Sequence, residues 1–224
     1  MIAKAGRLAG TEIERVEEST EAAAGGIGVL AVQGDFHAHG QALERIGAGF
    51  RLVRKVSELC GLKGLIIPGG ESTTLLKFLQ EEGLFEAIRE FAQAHPIFGT
   101  CAGAILLADR VEHPAQESLG LMRMTVRRNG YGRQLASSIH SLDPSTDLED
   151  GPEAGTPLEV VLIRAPIIVE VGGEVEVLAR LEDEPVLVRQ GRLLAGTFHP
   201  ELSADGRVHR YFCRRLCGIE LKRG

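Results

Sequence analysis

The sequence lacks features that mark several classes of protein. No apolar run among its 224 residues approaches the length of about 20 residues that a membrane-spanning helix needs. Positive charge is not in excess, because 25 Lys and Arg stand against 31 Asp and Glu and give a net charge of -6. A basic surface typical of nucleic-acid binding is therefore absent. We expect neither a membrane nor a nucleic acid as a partner.

Cysteine is also scarce. The four cysteines, Cys60, Cys101, Cys213 and Cys217, form no CxxC pair and no spacing typical of a zinc site. We therefore expect no bound metal, and we predict no cofactor. A long chain with few cysteines, one of them in a reactive setting, suits a reducing compartment, so we expect a cytoplasmic protein.

The first 25 residues differ in composition from the rest. They mix acids with small residues and end in Ala-Ala-Ala-Gly-Gly, which predicts a disordered or weakly helical extension rather than a secretory signal. Ile13 and Val16 leave a short docking helix as the alternative. Residues 26–220 have the apolar content of one globular domain, and we predict the domain boundaries there.

Short apolar runs alternate with helical patterns through the first half of the chain. The predicted strands are 27–33, 50–53, 64–67 and 96–98, and the predicted helices are 37–46, 72–79, 84–94 and 104–108. Ser72 and Thr73 offer N-cap chemistry at the second of these helices. This order predicts an α/β fold with a parallel sheet, whose strands end at one shared edge.

The second half has a different pattern. The alternation over residues 122–127 predicts a strand, and the Asp, Pro, Ser and Gly content of 141–157 predicts a loop. Further strands are predicted at 158–164, 174–180, 185–190 and 192–198, the last three as a meander, followed by a helix over 205–217.

One stretch has the spacing of a nucleophile elbow. Cys101 lies between Gly99 and Gly103, after a predicted strand and before a predicted helix. Small flanking residues let strand and helix pack closely, and the first N–H groups of the helix can then hold a developing oxyanion. We interpret Cys101 as a nucleophile, although an arbitrary free cysteine is more often a buried core residue.

A nucleophilic thiol needs a base, and the base needs an acceptor that orients it. His199-Pro200-Glu201 directly follows the predicted strand 192–198. Pro200 disfavours helix at His199, and side chains two apart on an extended chain face the same way, so Glu201 could orient the ring. A surface turn is the alternative. We expect five other histidines on loops or helix surfaces, namely His37, His39, His95, His113 and His140.

A second turn offers backbone donors. Pro68-Gly69-Gly70 follows a predicted buried strand, and its N–H groups are not covered by side chains, so a substrate carbonyl could approach closely. An ordinary turn between strand and helix is the alternative.

These motifs occur together in a known order. The chain carries Gln33-Gly34-Asp35, PGGESTT at 68–74, FGTCAG at 98–103, Arg128-Asn129 with Gly132-Arg133-Gln134, IRAP at 163–166 and FHPEL at 198–202. Over about residues 27–217 it resembles class I glutamine amidotransferases and, among them, the glutaminase subunits of pyridoxal phosphate synthase.

The resemblance implies both a fold and a reaction. The fold is a flavodoxin-like, three-layer α/β sandwich with a mixed, mostly parallel central sheet. The reaction is hydrolysis of L-glutamine to glutamate and ammonia, and the ammonia passes to a partner synthase subunit, a (β/α)8 barrel, in a hetero-oligomer.

The resemblance also implies roles by position. Cys101 is the nucleophile, and His199 and Glu201 complete the triad. The N–H groups of Gly70 and Ala102 would hold the oxyanion. The glutamine-binding positions would be Gly70, Glu71, Ser72, Arg128, Ile163 and Arg164.

Two rival functions stay open on sequence. A cysteine hydrolase or peptidase on a related α/β sandwich would also use an elbow cysteine, but it would not need Arg128 and Arg164. A catalytically silent binding module would not need the intact Cys101, His199 and Glu201.

Overall fold

A computed structural model describes residues 26–128, 137–148 and 151–222. The predicted extension over residues 1–25 lies outside the described residues, as do positions 129–134 of the Arg128-Asn129 motif. No helix in the described ranges is both long enough and apolar enough to cross a membrane.

The elements of the described ranges are short. The helices are α1 Phe36–Arg45, α2 Ser72–Glu81, α3 Leu84–Ala92, α4 Ala102–Leu107 and α5 Arg207–Tyr211. The strands are β1 Ile27–Leu30, β2 Phe50–Val53, β3 Gly64–Ile67, β4 Ile97–Thr100, β5 Ala108–Glu112, β6 Met122–Arg127, β7 Ser137–Leu142, β8 Leu158–Ile163, β9 Ile167–Val171, β10 Glu176–Leu181, β11 Glu184–Gln190 and β12 Leu193–Gly196.

A mixed, mostly parallel sheet lies at the centre. In the described part of the chain it has seven strands, in the order β10-β11-β12-β4-β3-β1-β2. β12, β4, β3, β1 and β2 are parallel, whereas β10 and β11 continue the sheet as an antiparallel meander beside β12. The arrangement β2-β1-β3-β4 followed by one further parallel strand is the flavodoxin-like order, as predicted.

Both faces of the central strands are buried. On β3, Leu65 and Ile67 belong to the apolar cluster on one face, and Ile66 belongs to the cluster on the other face. Such strands have near-continuous apolar sequences, which is why their positions could be predicted. Phe98 on β4 is also fully buried, and burial of a side chain of this size contributes roughly 1.5–3 kcal/mol.

Helices cover each face and complete the three layers. α2, α3 and α4 pack on one face through residues that include Leu75, Leu79 and Ile88. α1 and α5 pack on the opposite face through residues that include Leu43 and Val208. A small sheet, β5-β6-β9, lies on the first side, and the β7-β8 pair lies on the second.

Several elements differ from the prediction. β5 begins at Ala108, where the pattern predicts the end of a helix, and β9 was not predicted. Residues 141–142, predicted as loop, belong to β7, and the closing helix begins at Arg207 and becomes π-helical over Phe212–Leu216. The strands among these elements form by backbone pairing with other segments, β5 and β9 with β6 and β7 with β8, and the local sequence does not reveal this pairing.

Candidate active site

Cys101 occupies the sharp turn between β4 and α4. Its φ of 47° and ψ of -102° lie outside the regions that a residue with a side chain ordinarily adopts. A Cβ atom on Gly99 would come within 2.5 Å of the backbone carbon of Gly103, and one on Gly103 within 2.1 Å of the carbonyl oxygen of Ile67. Only glycine fits at either position, as predicted, and strain of this kind is typical of functional turns.

The elbow is tied to the end of β12. The backbone N–H of Cys101 donates to the carbonyl oxygen of Gly196 at 2.8 Å. The chain then runs through buried Phe198 to His199, whose N–H donates to the carbonyl oxygen of Val161 at 2.9 Å. The parallel pairing of β4 and β12 therefore brings the cysteine and the histidine to one sheet edge.

His199 and Glu201 form a buried pair. Nδ1 of His199 lies 2.8 Å from Oε1 of Glu201, and the residues are only 4% and 3% exposed. The backbone here is not the extended chain that we predicted, because Pro200–Leu202 form a turn of 3₁₀ helix. The side chains meet across this turn, so the predicted pairing is found for a different geometric reason.

The three predicted triad residues are electrostatically coupled. Burial disfavours the charged His199 ring, but hydrogen bonds to Cys101 and Glu201 outweigh it and raise the pKa of His199 to about 10. Burial also acts against the Glu201 carboxylate, whose contacts with His39 and His199 nevertheless lower its pKa. A ring held between a sulfur and a carboxylate can take and return the proton that thiol chemistry requires.

The Gly69–Gly70 loop passes directly beside this group. A Cβ atom on Gly69 would lie 2.5 Å from Cε1 of His199 and 3.3 Å from Cβ of Cys101. On its other side, a Cβ atom on Gly34 would lie 1.7 Å from the carbonyl oxygen of Gly69. Gly70 has a φ of 149°, which favours glycine. Only bare backbone fits between the neighbouring loop and the Cys101–His199 pair.

Glu71 is held at its backbone and at its side chain. In the orientation that satisfies both partners, the Gln33 amide donates to O of Glu71 at 3.2 Å and accepts from N of Glu71 at 3.0 Å. The Glu71 carboxylate accepts from the N–H groups of Thr73 and Thr74 at 3.0 and 2.7 Å. The hydroxyl of Thr74, together with these backbone donors, lowers the pKa of Glu71 to about 2.

Glu71 is therefore the N-cap of α2, and the prediction that Ser72 and Thr73 cap this helix is wrong. The Ser72 hydroxyl instead donates to Oε1 of Gln116 at 3.0 Å. A carboxylate next to the helix start has two backbone N–H groups within reach, and it also complements the positive end of the helix dipole.

A cavity of about 190 Å³ opens beside the sulfur. Its lining includes nearly all of the predicted site residues: Cys101, His199, Gly70, Glu71, Ser72, Arg128, Ile163 and Arg164. Glu201 lies behind His199, and Ala102 follows the cysteine without lining the cavity. Asp35 and Ile105 also line it and were not predicted as site residues.

Two arginines supply positive charge to the cavity. Arg128 donates from Nη2 to Oγ1 of Thr73 at 3.1 Å and to Oε1 of Glu71 at 3.4 Å, which fixes its side chain against α2. Arg164 has a φ of 45°, a left-handed conformation that costs free energy for a residue with a side chain. The cavity therefore combines a cysteine sulfur with groups that suit a carboxylate.

Sequence reasoning missed a buried group behind Glu201. His39 is fully buried and not on a helix surface as we expected, and Nε2 of its ring lies 3.4 Å from Oε2 of Glu201. His209, also fully buried, lies next to His39. A signal for His39 was present, since it precedes the buried Leu43 by four residues and therefore shares the core-facing side of α1.

Comparison with known proteins identifies the family of this chain. The model of the SNO glutamine amidotransferase family matches residues 29–218. The chain belongs to this family. The chain is 53% identical over 190 residues to the pyridoxal 5'-phosphate synthase subunit PdxT of Solibacter usitatus, which covers 85% of this chain and 98% of that protein. It is 50% identical over 198 residues to the PdxT subunit of Thermus thermophilus, covering 87% and 99%.

Solved structures agree in fold. A crystal structure of a glutamine amidotransferase superposes with a TM-score of 0.80 at 46% identity, over 87% of this chain and 100% of that one. The structure of PurLQS from Thermotoga maritima superposes with a TM-score of 0.64 at 17% identity, over 87% and 100%, and so shows the fold alone. The α/β sandwich of this chain is thus that of class I glutamine amidotransferases.

The elbow geometry predicts the effect of a single methyl group. Gly103→Ala should lower the free energy of unfolding by about 1–3 kcal/mol, because the new Cβ would overlap the Ile67 carbonyl and force backbone shifts. Urea unfolding measures this. Gly49→Ala is the matched control, because a Cβ there meets nothing within 4 Å. Equal losses in both variants would contradict the packing argument.

The buried histidines predict a pH dependence of stability. Burial lowers the pKa of His209 to about 3 from an ordinary 6.5. Between these two values the His209 ring is protonated in the unfolded chain but neutral in the folded protein. Stability should therefore fall as the pH drops, with His209 contributing about 1.4 kcal/mol for each pH unit well below 6.5. Urea unfolding from pH 7 to pH 5 should show a shallower fall for His209→Gln. The same pH dependence of stability in wild type and His209→Gln would contradict this prediction.

Proposed function

We propose that this chain hydrolyses L-glutamine to L-glutamate and ammonia with Cys101 as the nucleophile. One observation carries the proposal: an elbow cysteine lies beside a histidine–glutamate pair at a cavity that also holds two arginines. Membership of the glutamine amidotransferase family and identities of about 50% to PdxT subunits support the same reaction. A peptidase cavity would have no use for two cations where the rest of a peptide chain must pass.

The first half of the reaction forms a thioester. The Cys101 sulfur attacks the γ-carboxamide carbon of glutamine, and the carbonyl π electrons move to oxygen. His199 then gives its proton to the amide nitrogen as the carbon–nitrogen bond breaks, and ammonia leaves. Glu201 keeps the ring oriented, because it accepts from Nδ1 and leaves the other ring nitrogen for the sulfur and the leaving group.

The second half returns the enzyme to its starting state. His199, now neutral, takes a proton from water as the water oxygen attacks the thioester carbon. The carbon–sulfur bond then breaks, glutamate leaves, and the sulfur and ring again share one proton. Backbone N–H groups of Gly70 and Ala102 are our candidates for holding the oxyanion in both halves. Donors of this kind typically contribute about 10²–10³-fold to kcat.

Substrate recognition follows from charge. Arg128 and Arg164 suit the α-carboxylate of free glutamine, because a guanidinium can bind a planar carboxylate through two parallel hydrogen bonds. Gly70, Glu71, Ser72 and Ile163 form the surrounding wall in this proposal. The carboxylate of Glu71 is engaged at the start of α2 and its backbone is engaged by Gln33, so in this proposal Glu71 shapes the wall of the cavity.

The ammonia has a destination in this proposal. Relatives named as pyridoxal 5'-phosphate synthase subunits support delivery to a partner synthase subunit in a hetero-oligomer that makes pyridoxal 5'-phosphate. We place the glutaminase domain at residues 26–220. A cytoplasmic location is supported by the low cysteine content and the reactive thiol.

Cys101→Ala should abolish ammonia release from glutamine, measured with and without the synthase subunit. We expect the wild-type rate to be low alone and to rise when the synthase binds, because free hydrolysis would waste the product. Cys60→Ala is the matched control, since this cysteine is exposed and remote from the cavity. Residual glutaminase activity in Cys101→Ala, or release of an amine from a peptide by wild type, would refute the proposal.

Arg128→Ala should raise KM for glutamine about 10–100-fold, the order expected for losing a hydrogen-bonded charge opposite a carboxylate. Arg128→Lys should recover only part of the affinity, because an ammonium cannot bind both carboxylate oxygens in parallel. Steady-state kinetics with the synthase present measure both. Arg89→Ala, at an exposed position of α3, serves as the control. An unchanged KM in Arg128→Ala would assign carboxylate binding elsewhere.

A further inference from the structure

The group behind Glu201 has no role in the reaction as written above. Nε2 of His39 lies 3.1 Å from Oγ1 of Thr100 and 3.4 Å from Oε2 of Glu201, and Nδ1 of His39 lies 3.0 Å from Nε2 of His209. His39, Thr100 and His209 are fully buried. A continuous line of polar groups therefore runs from Cys101 through His199 and Glu201 to His39 and His209.

Of the three histidines in this line, His39 and His209 favour the neutral form. Burial lowers the pKa of His39 and of His209, and the proximity of the two rings favours the neutral form of His209 further. A neutral imidazole has one N–H and one bare nitrogen, so the contact between the two rings allows only two arrangements.

In the first arrangement, Nε2 of His209 donates to Nδ1 of His39. The proton of His39 then lies on Nε2, facing Thr100 and Glu201. Nδ1 of His209 is a bare nitrogen, which agrees with its having no hydrogen-bond partner among the described residues.

In the second arrangement, Nδ1 of His39 donates to Nε2 of His209. The proton of His209 must then lie on Nδ1, where it would be a buried donor without a partner. The bare Nε2 of His39 would also face the Glu201 carboxylate, lone pair against negative charge. Both features cost free energy, so the first arrangement is the stable one.

The assignment matters because Glu201 is only partly engaged. Oε1 accepts from His199, whereas Oε2 is buried and meets no hydrogen-bond partner in the described ranges. An ionised carboxylate oxygen in that position needs a nearby positive dipole. In the first arrangement the N–H at Nε2 of His39 is hydrogen-bonded to Oγ1 of Thr100. Its positive dipole then lies beside Oε2 of Glu201, 3.4 Å from Nε2, although the two atoms form no hydrogen bond.

We propose that His39 is a positioning residue of the active site, which holds Glu201 oriented and ionised from behind, and that His209 acts by fixing the tautomer of His39. The inference rests on the proposed function, in which Glu201 orients His199. His39 touches neither substrate nor sulfur in this proposal. Its effect reaches the reaction through the carboxylate alone.

Several charged and titratable groups surround His39, and each can contribute to the pH dependence of activity. Asp35 faces it from the start of α1, Glu201 and His199 face it from the turn after β12, and His209 faces it from α5. Arg45, on α1, acts on His209. Among these groups, His199 is hydrogen-bonded to Cys101, so a change around His39 can be measured as a change in the reactivity of the thiol.

His39→Leu should lower kcat for glutamine about tenfold or more and leave KM within about twofold, the order expected when one contact to an ionised group is lost. His39→Gln should recover most of the rate, because its amide N–H can occupy the place of Nε2. His209→Leu should show a smaller loss, since His39 remains but its tautomer is no longer fixed. All are measured in the full chain with its synthase partner.

Two further readouts separate positioning from mere stability. The pH profile of Cys101 alkylation by iodoacetamide should shift in His39→Leu and return in His39→Gln, and a purely structural role would move only the melting temperature. In a Glu201→Gln background, His39→Leu should cost little more, because the two residues act through one step.

Three results would overturn the inference: a His39→Leu enzyme with wild-type kcat and alkylation profile, full additivity with Glu201→Gln, or no recovery in a folded His39→Gln. If His39→Leu does not fold, the comparison of His39→Gln and His209→Leu with wild type decides. Failure of the proposed function is distinguishable, because it would appear as glutaminase activity in Cys101→Ala or none in wild type.

Discussion

The close packing of β4 against α4 at Cys101 is the constraint on which the site depends. A cysteine held at a φ of 47° is strained, and the strain persists because the flanking positions leave no room for relaxation. Gly99 touches Gly103, and Gly103 touches the carbonyl of Ile67 on the neighbouring strand. The position of the sulfur is thereby constrained by two strands of the central sheet, β4 and β3, and by helix α4.

The parallel sheet then brings the other groups to this sulfur. β3 ends at the Gly69–Gly70 loop, β4 at the elbow and β12 just before His199, and all three strands point the same way. Each group is therefore a short loop away from a fully buried strand. This arrangement needs little from the loops themselves, because rigid neighbours fix where each loop begins.

The sequence was informative where chemistry and local pattern coincide. Buried parallel strands such as Gly64–Ile67 are nearly all apolar, and the glycines around Cys101 have one sterically compelling reason to be there. The β5 and β9 strands could not be predicted, because both depend on pairing with β6, which the local sequence does not reveal. The 3₁₀ turn at Pro200–Leu202 shows a related limit: the residue pairing was correct, but the backbone conformation behind it was not.

The buried histidines show where residue-by-residue reasoning fails. We expect His39 on a loop or helix surface from the sequence because it has no ligand partner at metal spacing, although its spacing from Leu43 places it on the core-facing side of α1. Its partners, Thr100 and His209, come from distant positions, and only the fold brings them together. A pattern can suggest that a histidine is buried, but it cannot name what the ring meets.

The double attachment of Glu71 has a mechanical consequence for the wall of the cavity. Gln33 binds both the backbone N–H and the backbone carbonyl of Glu71, and the start of α2 holds its carboxylate. Within the loop that precedes Glu71, a rearrangement that preserves those bonds must therefore take place at Gly69 and Gly70. The end of β3 and Glu71 are both held in place, and the loop between them can change its backbone torsions at two glycines, the residue type that resists such rotation least.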